Sequence, residues 1–500
     1  MTLACVQSRA LLGLAAPAVT VEVHLANGLP SLSLVGLADV EVKEARERVR
    51  CALQNSGLEF PNNKRITVNL APADLPKDSG RFDLPIALGI LAASGQIPLE
   101  ALHGWEFAGE LSLSGALRPV RGGLVSSLHG GDQRLVLPLD SAREAALAPA
   151  AQVFGAAHLL DVVAHLLGQP GGEGWQRITA QAPVHRTSGP DLADVKGQVQ
   201  AKRALEIAAA GGHGLLLVGP PGAGKSMLAQ RFSSLLPAMT EQEALESAAV
   251  ASLAGRFDPQ EWGLRPTSAP HHTASAVALV GGGSPPRPGA ISLAHHGVLF
   301  LDEFPEFARS ALEALREPLE NGHITIARAA LSSQFPARFQ LLAAMNPCPC
   351  GFHGSTQRPC RCSPQQIGRY QGKLSGPLLD RIDLHVHVPA LPAQELLQAP
   401  TGESSAAIRQ RVVQARQRAV ARQGGANQQL HGQQLEAVLQ LEPAAHALLH
   451  KAAERLAWSA RATHRTLRVA RTIADLAGGE GIASAHVAEA IQYRNVLLKN

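Results

Sequence analysis

The residue pattern best suited to chemistry is a glycine-rich loop, Gly219-Pro-Pro-Gly-Ala-Gly-Lys-Ser226, which matches G-x-x-x-x-G-K-[ST] at every fixed position. It lies between an apolar run, Leu215–Val218, and a helical run, Met227–Leu235. In this context backbone N–H groups close around a phosphate, Lys225 neutralises the β- and γ-oxygens, and Ser226 ligates Mg²⁺. We therefore predict an ATP and Mg²⁺ site with these loop residues: Gly219, Pro220, Pro221, Gly222, Ala223, Gly224, Lys225 and Ser226.

Polar residues that follow two later apolar runs would complete this site. Val298–Leu301 precedes two carboxylates, of which Asp302 would hold Mg²⁺ through water and Glu303 would polarise the attacking water. A third apolar run ends at Met345, and Asn346 at its tip could reach the γ-phosphate and orient water. These residues predict nucleotide hydrolysis rather than nucleotide binding alone.

Two arginines are candidates for a role in hydrolysis. Arg381, in Leu-Leu-Asp-Arg-Ile-Asp, is placed to act on the nucleotide of a neighbouring chain, since an arginine supplied in trans accelerates phosphoryl transfer. Arg471 lies on an amphipathic C-terminal helix and could report the nucleotide state. By composition alone, each would be read as a surface or salt-bridge arginine.

The elements that must position these residues indicate several units. Residues 1–165 combine strand-like alternation with helices in an α+β pattern, and residues 166–190 are a Gly/Pro-rich linker. Residues 191–393 alternate strands and helices as one α/β domain, and residues 394–500 form a helical C-terminal domain. The length of 500 residues fits such a multi-domain chain.

Composition excludes several classes of protein. The chain is 45% hydrophobic and 17% charged, as in folded globular proteins, and no run of 18 to 20 apolar residues predicts a membrane span. We expect a cytoplasmic protein, and six cysteines do not make a secreted disulfide scaffold. The net charge is only +4, but positive charge concentrates in the last third of the chain, which hints at a polyanionic partner.

Four of the six cysteines form a cluster, C-x-C-x₉-C-x-C. Four thiolates in a reducing compartment can close a tetrahedral structural zinc site, although the spacing is tighter than the usual C-x₂₋₄-C. The alternative is a set of free thiols in a loop. The pair His271-His272 is read as a hydrogen-bonded structural feature. The candidate zinc ligands are Cys348, Cys350, Cys360 and Cys362.

Together these motifs resemble the Walker A, Walker B, sensor 1, arginine finger and sensor 2 elements of AAA+ ATPases, in that order. Longer phrases resemble the bacterial magnesium-chelatase-like ComM/YifB family over essentially the whole chain. These are Arg265–Ser275 (RPTSAPHHTAS), Gly289–Gly297 (GAISLAHHG), Met345–Gly351 (MNPCPCG) and Ser375–Asp383 (SGPLLDRID), with Gly28–Gly36 and Asn69–Leu75 near the N-terminus.

The resemblance implies a homo-hexameric ring ATPase with a helical lid, related to MCM helicases. Its ComM members are DNA branch-migration helicases used in natural transformation, so DNA is the expected partner. A β-hairpin before sensor 1 would project into the pore: Ile324–Arg328, a turn around 330–333, and Phe335–Phe339 fit it. Arg328 and Arg338 would flank its tip and grip phosphates without reading sequence. An insertion at 251–288 resembles the helix-2 insert of the same clade.

The N-terminal segment Pro76–Pro85 resembles the Lon protease-like, or ribosomal S5 domain 2-like, fold. The nucleophilic serine of active members would fall on Arg81 and the catalytic lysine on Ser127, while Ser79 is displaced by two residues. Because Ser–Lys cleavage needs both groups in contact, we expect a binding or assembly domain instead of a peptidase.

Two other functions compete with a DNA motor. A porphyrin magnesium-chelatase motor would act on a partner carrying a D-x-S-x-S metal-adhesion site, which this chain lacks. An ATP-dependent protease is disfavoured by Arg81 and Ser127.

Overall fold

The computed structural model describes residues 2–36, 40–77, 80–149, 151–169, 174–180, 189–283, 286–328, 331–355, 358–392, 398 and 400–494. Within these ranges the chain builds two β-sheets with flanking helices, followed by a group of C-terminal helices. None of the helices in these ranges has the length and apolar character needed to cross a lipid bilayer.

The larger sheet is formed by strands from the first part of the chain. Its eight strands run in the order β10-β9-β8-β5-β1-β2-β4-β3, and β6 and β7 pair separately. Alternate residues of β2 are buried, as expected for a strand with one face on the core. The strands are β1 (Thr2–Arg9), β2 (Ala18–Asn27), β3 (Ser31–Val35), β4 (Lys64–Ala71), β5 (Trp105–Phe107), β6 (Glu110–Leu111), β7 (Leu117–Arg118), β8 (Arg134–Pro138), β9 (Gln152–Ala156) and β10 (Gln176–Ile178).

Helices cover this sheet. They are α1 (Val40–Asn55), α2 (Asp83–Ala93), α3 (Gly123–Leu128), α4 (Leu139–Ala145) and α5 (Leu159–Leu166). Every residue of α2 is buried, so this helix forms the centre of the core. The helix comes so close to β2 that a Cβ on Gly89 would lie 2.4 Å from Cγ2 of Val23. Glycine is therefore required there by packing.

The second sheet is parallel and has five strands in the order β12-β15-β18-β11-β19. Its central strands are fully buried apolar runs, as expected for a parallel sheet covered on both faces. Two small antiparallel ribbons, β13 with β14 and β16 with β17, lie outside it. The strands are β11 (Leu215–Val218), β12 (Thr267–Ser268), β13 (Gly281–Gly282), β14 (Arg287–Pro288), β15 (Val298–Leu301), β16 (His323–Arg328), β17 (Leu331–Pro336), β18 (Gln340–Met345) and β19 (Leu384–His387).

Nine helices belong to this part of the described chain. They are α6 (Val199–Gly211), α7 (Lys225–Phe232), α8 (Glu241–Leu253), α9 (Ala276–Val280), α10 (Ala290–Leu293), α11 (Arg309–Glu313), α12 (Arg316–Asn321), α13 (Pro364–Gln371) and α14 (Gly376–Leu379). Strand β11 lies between β18 and β19, with Val218 in register with Met345 and His387. The carboxyl ends of β11, β15 and β18 therefore meet at one edge, where open α/β sheets bind ligands.

The C-terminal part is helical, with α15 (Ser405–Gln423), α16 (Gly432–Val438), α17 (Pro443–Arg455), α18 (Ala460–Ala477) and α19 (Ser484–Gln492). Ser404 and Ser459 cap the N-termini of α15 and α18, and Gly424 and Gly478 end them in left-handed conformations. Buried residues of α15, α18 and α6 share one hydrophobic core. The C-terminal helices are therefore packed against the parallel sheet's own helical layer.

The first sheet's unit also contacts the second through helix α3. Leu124 and Val125 are fully buried in the same apolar cluster as Leu245 of α8. At the rim of this contact, Oε1 of Glu144 accepts hydrogen bonds from the backbone N–H of Gly123 and from the Ser252 hydroxyl, both at 2.9 Å. Burial raises the pKa of Glu144 to about 7.

The structure confirms the predicted α/β fold class, a parallel-sheet core followed by a C-terminal helical region. It differs from the sequence expectation in the segment 166–190. Strand β10, predicted as linker, pairs antiparallel with β9, and Ile178 packs against an apolar cluster of the same unit. The three-residue strand is too short to show a reliable alternation in the sequence.

Candidate nucleotide-binding site

The predicted phosphate-binding loop, which begins at Gly219, connects β11 to α7, as the sequence predicts. Gly222 and Gly224 have φ angles of +77° and +91°, in the left-handed region that favours glycine. A Cβ on either residue would meet no atom within 4 Å, so an open space lies beside the loop backbone. Gly219 serves a different purpose, because a Cβ there would lie 2.1 Å from the Val388 carbonyl oxygen. The loop is thus packed tightly at its start and open along its glycines.

Lys225 is the first residue of helix α7, and its side chain connects the loop to Asn346 at the end of strand β18. Its Nζ donates to the carbonyl oxygens of Gly219 at 2.8 Å and Pro220 at 2.9 Å, and to Oδ1 of Asn346 at 3.0 Å. Burial lowers the pKa of the Lys225 ammonium, and the nearby Asp302 carboxylate opposes that shift. The structure therefore brings Lys225 and Asn346 into contact, and their role toward a nucleotide stays a prediction.

Ser226 and Asp302 form the second contact of the site. The Ser226 hydroxyl donates to Oδ2 of Asp302 at 2.7 Å, which joins the first turn of α7 to the end of β15. A hydroxyl and a carboxylate are the oxygen ligands that Mg²⁺ prefers. Since this pair lies beside the open glycine loop, the donor set fits a magnesium–nucleotide complex, with Ser226 and Asp302 as the residues that would hold the ion.

Glu303 follows Asp302 in an uncommon backbone conformation. Its φ is +51°, a left-handed value rare for residues with a side chain, and its N–H donates to Oδ1 of Asp302 at 2.9 Å. The carboxylate is 55% exposed and contacts His272, whose Nδ1 lies 2.9 Å from Oε2. The sequence analysis placed Glu303 at the end of the strand and read His271-His272 as a structural pair, but it did not foresee the contact of His272 with Glu303.

Gln198, before α6, is another residue that sequence reasoning missed. Its Nε2 donates to the carbonyl oxygens of Ala223 at 3.1 Å and Pro389 at 2.8 Å, so it braces the phosphate-binding loop from behind. Its buried Oε1 has no hydrogen-bond partner among the described residues. The sequence offered only a weak signal for this role, namely a glutamine that follows Lys196-Gly197 at the start of a helix.

Arg381 is held within its own chain. Its guanidinium is almost fully buried and donates to the carboxylate of Glu320 and to the Pro377 carbonyl oxygen. Burial lowers the pKa of Arg381, and Glu320 opposes the shift. Glu320 is itself partly exposed and also lies 3.4 Å from Nη2 of Arg461. Arg381 could reach a neighbouring chain only by exchanging Glu320 for another anion.

Arg471 is enclosed by the C-terminal helices. Its side chain is 1% exposed, with Nη2 2.9 Å from Oδ1 of Asp475 and both terminal nitrogens donating to the carbonyl oxygens of Gly479 and Glu480. These contacts fix the C-terminal end of α18. They are the contacts of a structural arginine, and a nucleotide would have to displace Asp475 to engage it.

The predicted hairpin exists as β16 and β17, but its second strand begins earlier than expected, at Leu331. Arg328 pairs with Leu331 in the last register position of the ribbon, so residues 331–333, which we expected in the turn, belong to strand β17. Residues 329–330 lie outside the described part of the chain. Strand β17 ends at Pro336, and a Cβ on Gly322 would lie 3.0 Å from Cγ of Arg338. The expectation that Arg338 flanks the tip is therefore wrong, since Arg338 lies at the base.

At the base of the hairpin Arg338 lines a large cavity of about 1110 Å³. Other arginines from the C-terminal helices also line it, among them Arg416, Arg465 and Arg468. Most of these have partners within the chain: Arg416 donates to the carbonyl oxygens of Ala209 and Ala210. The cavity is thus walled by arginines that stabilise the packing of the C-terminal helices on the core.

The four clustered cysteines come together in space, as the spacing predicted. Their sulfur atoms all lie within 4.8 Å of one another, so the cluster could hold a metal ion. Backbone N–H groups of Cys350 and His353 point at the sulfurs of Cys362 and Cys348, at 3.4 and 3.3 Å. The cluster also supports the phosphate-binding loop, because a Cβ on Gly351 would lie 2.5 Å from Cδ of Pro221.

The protease-like position in the first unit is filled by an arginine. Arg81 is completely buried and donates to the carbonyl oxygens of Arg9 and Arg121. Ser127 is buried, and its hydroxyl has no hydrogen-bond partner among the described residues. Ser79 lies outside the described residues. The Arg81 guanidinium therefore connects its own segment to those of Arg9 and Arg121, at the position where the resemblance would place a serine nucleophile.

Comparisons with known proteins agree with this geometry. Residues 191–396 match the family described as magnesium chelatase, subunit ChlI; residues 21–140 and 402–494 match subunit ChlI of Mg-chelatase and its C-terminal region. Competence protein ComM of Haemophilus influenzae is 50% identical over 500 residues, which covers 99% of this chain and 98% of that protein. Protein YifB of Escherichia coli K12 is 48% identical with the same coverage.

A more distant match is confined to part of the chain. The maternal DNA replication licensing factor mcm3 of Xenopus laevis is 30% identical over 133 residues, or 27% of this chain and 14% of that protein. The full-length identity to ComM and YifB is decisive. The chain belongs to the ComM/YifB family of magnesium-chelatase-like proteins.

Proposed function

We propose that the protein is an ATP-hydrolysing motor that acts on DNA as a hexameric ring. The observation that carries the ATPase is the meeting of Lys225, Ser226, Asp302 and Asn346 at the carboxyl edge of three adjacent parallel strands. Family membership supports P-loop ATPase chemistry with ATP and Mg²⁺.

Each residue has a distinct task in this proposal. Backbone N–H groups of the glycine loop hold the β-phosphate, and Lys225 balances the charge that develops on the β- and γ-oxygens. Ser226 and Asp302 would hold Mg²⁺, which would neutralise charge on the phosphates. Glu303 accepts a proton from the attacking water, and Asn346 keeps Lys225 aimed at the phosphates while orienting that water.

The hexamer is proposed because the site is incomplete within one chain. In the parts of the chain that the structure describes, no arginine hydrogen-bonds to Lys225, Ser226, Asp302 or Glu303. Phosphoryl-transfer enzymes of this kind commonly receive an arginine from a neighbour. Arg381, bound to the partly exposed Glu320, is the arginine we assign to that task.

DNA is proposed as the substrate on two grounds. The relative ComM is named a competence protein, and the local relative mcm3 is named a DNA replication licensing factor. In addition, a two-stranded ribbon with Arg328 at its distal end stands outside the parallel sheet. We assign this hairpin to phosphate contacts that do not read sequence, and the physiological role to branch migration of DNA during natural transformation.

For the cysteine cluster we propose a structural zinc ion. Three of the sulfur–sulfur distances are 3.4, 3.5 and 3.7 Å. Four sulfurs about 2.3 Å from a tetrahedral zinc ion would be about 3.8 Å apart, close to the observed values. With four protein ligands no coordination position stays open for chemistry, so the ion would be structural.

The test is an ATPase titration with single-stranded, duplex and forked DNA of equal nucleotide content, using Lys225→Ala as the negative control. We expect turnover that rises with DNA and a steep loss of DNA binding with increasing salt. Hydrolysis that no DNA form changes would contradict the DNA motor and leave the ATPase standing. Sedimentation of Glu303→Gln with ATP should show a hexamer, and a monomer under those conditions would contradict the ring.

A further inference from the structure

Two short segments connect the first unit, which is built on the eight-stranded sheet, to the second unit, which is built on the parallel sheet. Segment 11–16 is the turn between β1 and β2, and segment 121–125 leads into helix α3. The N–H of Gly122 donates to the carbonyl oxygen of Ser252 on α8 at 3.2 Å. The two segments also touch each other, because a Cβ on Gly122 would lie 2.7 Å from Cδ1 of Leu11. We call these two segments together the docking surface.

The turn of the docking surface lies on the β16–β17 hairpin. A Cβ on Gly13 would lie 3.5 Å from Cβ of Ser333 and 3.6 Å from the carbonyl oxygen of Gln334. Ser333 is 4% exposed, although Ser332 and Gln334 on either side of it are exposed. Its buried hydroxyl has no hydrogen-bond partner among the described residues, so the contact is one of packing. The first unit therefore helps to cover the hairpin at Ser333, two register positions from the end of the ribbon.

The other segment of the docking surface lies on helix α8. Leu124 and Val125 belong to the same apolar cluster as Leu245 of α8. This cluster also contains Ile326 and Phe335, which are buried residues of the hairpin. The docking surface thus meets one continuous apolar layer, which extends from α8 to the hairpin.

Arg81 links the two segments from inside the first unit. Its Nη1 donates to the carbonyl oxygen of Arg9 at 3.3 Å, just before the turn, and its Nη2 donates to that of Arg121 at 3.0 Å, just before α3. Nη1 of Arg9 in turn donates to the carbonyl oxygen of Ala16 at 2.7 Å, which closes the turn from its other side. A serine at position 81 has one hydroxyl proton and could serve only one of these carbonyl groups. The planar guanidinium of Arg81 therefore fixes the spacing between the two segments.

We propose that the first unit braces the β16–β17 hairpin for DNA binding, and that Arg81 is the positioning residue that holds the docking surface in the shape this requires. The proposal rests on the proposed function and assigns the first unit a task within it. A braced hairpin is ordered before DNA arrives, so binding does not include the cost of ordering it. The hydrogen bonds described above for Lys225, Ser226 and Asn346 all stay within the second unit. Loss of the brace should therefore change the response to DNA and leave ATP binding in place.

The first experiment tests the contact between the turn and the hairpin. Gly13→Cys with Ser333→Cys, in protein that carries Cys5→Ser, should form a disulfide on air oxidation, because the two Cβ positions are 3.5 Å apart and within disulfide range. The control pair is Gly28→Cys with Ser333→Cys, since Gly28 follows the other end of β2. Mass spectrometry of unreduced peptides identifies the bond. If the first pair cross-links no more than the control pair, the turn does not lie on the hairpin and the proposal fails.

The second experiment measures kcat and KM for ATP, and the concentration of single-stranded DNA that gives half-maximal stimulation. Arg81→Met has a side chain of similar length without donors. Loss of hydrogen bonds from a charged group corresponds to about a tenfold effect, so this variant should need about tenfold more DNA. Its DNA-free kcat and KM for ATP should stay within about twofold of the wild type. The control is Arg118→Met, an arginine of the first unit with a 61% exposed side chain, which should behave as the wild type.

Rescue by the cross-link separates positioning from general damage. In Arg81→Met, the disulfide of the Gly13→Cys and Ser333→Cys pair should restore the DNA response, and reduction with dithiothreitol should remove it again. The same disulfide with Arg81 intact should leave the response as in the wild type. A folded Arg81→Met protein that responds to DNA as the wild type does, or that the cross-link fails to rescue, would overturn the proposal.

Two further comparisons cover the remaining outcomes. If Arg81→Met does not fold, Leu14→Glu replaces it, because Leu14 packs at the edge of the shared apolar cluster, and Leu29→Glu at an 88% exposed leucine is its control. Equal DNA responses of these two variants would overturn the brace. A wild type that DNA does not stimulate would instead refute the proposed function. Hydrogen exchange of β17 would still decide the brace, since it should be faster in Arg81→Met, or in Leu14→Glu in its place, and an unchanged rate would contradict it.

Discussion

Lys225 and Asn346 are joined by a 3.0 Å hydrogen bond from Nζ to Oδ1, across the boundary between two adjacent parallel strands. The loop after β11 and the tip of β18 are thereby held as one unit, in which Val218 and Met345 are directly paired. Lys225, which we propose to meet the phosphates, is therefore held by a side chain far away in the sequence. Loss of Lys225 should therefore affect both the binding and the hydrolysis of ATP, whereas loss of Asn346 should affect mainly hydrolysis.

We predict that Lys225→Ala abolishes ATP turnover and weakens ATP binding at least about tenfold, because charge-assisted hydrogen bonds to the phosphates are lost. Asn346→Ala should retain binding and lower kcat, since the ammonium remains but is no longer aimed. Equilibrium binding of a fluorescent ATP analogue together with steady-state turnover distinguishes the two. Normal hydrolysis by Lys225→Ala would remove the loop from the mechanism.

Glu303→Gln should bind ATP as tightly as the wild type and hydrolyse it about 100-fold more slowly or worse, because a carboxamide cannot accept the proton of the attacking water. The matched control is Glu306→Gln, a nearby carboxylate that pairs with Lys373 at the surface. Single-turnover hydrolysis measures the chemical step directly. If Glu303→Gln and Glu306→Gln both hydrolyse at the wild-type rate, Glu303 does not activate water.

The proximity of Lys225, Ser226, Asp302 and Asn346 was predictable because these residues follow local rules. A phosphate-binding loop has fixed spacing between a strand and a helix, and residues that follow parallel strands meet at one edge. The contact of His272 with Glu303 could not be foreseen, because it depends on the pairing of β12 with β15. Strand β12 has only two residues, which is too short for its alternation to be recognised in the sequence.

Two expectations depend on tertiary contacts that the sequence does not show; the role of Arg471 stays a prediction, and the position of Arg338 was wrong. Arg471 has the spacing of a helix-borne sensor, but Asp475 one turn later and the carbonyl groups after α18 take up its donors. Arg338 was expected to flank the hairpin tip together with Arg328. The ribbon ends at the pair His323–Pro336, so Arg338 lies just beyond its base. Turn position in a ribbon rich in β-branched and small residues is weakly specified by sequence.

The cysteine cluster yields a prediction about metal content. Protein purified without chelator should contain one zinc ion per chain, and Cys348→Ser with Cys360→Ser should contain none. Because Gly351 packs on Pro221, loss of the ion should raise KM for ATP and speed hydrogen exchange after Asn346. Elemental analysis and exchange mass spectrometry provide the measurements. The control is Cys5→Ser with Cys51→Ser, cysteines outside the cluster, and well under one zinc ion in wild-type protein refutes the site.

The Glu144 contact yields a prediction about pH. Because the folded protein holds the Glu144 proton more tightly than the unfolded chain, stability contributed by this group declines as pH rises from about 4.5 to about 7. Glu144→Gln keeps an oxygen acceptor for Gly123 and Ser252 without the buried charge. We expect it to melt at a higher temperature than the wild type at pH 8 and at nearly the same temperature at pH 5.

The control for this prediction is Asp140→Asn, on the same helix α4, where the carboxylate is 70% exposed. This change should leave the pH dependence of melting as in the wild type. Equal melting differences between wild type and Glu144→Gln at both pH values would show that the Glu144 carboxylate is not destabilised by burial at the contact between the two units.

The last prediction concerns Arg381 and the ring. If Arg381 leaves Glu320 to reach a neighbour's γ-phosphate, every active site is built from two chains, and Arg381→Ala should lose about 10³-fold in turnover. Its own Lys225 would remain intact, as would Arg381 in Lys225→Ala. Mixing the two inactive variants should therefore create some complete interfaces and raise activity above that of either alone. Arg143→Ala, an exposed arginine on α4, is the control and should retain wild-type turnover. Mixed rings that assemble, as judged by sedimentation, but remain inactive at every ratio would show that Arg381 does not act in trans, and its contact with Glu320 would then be purely structural.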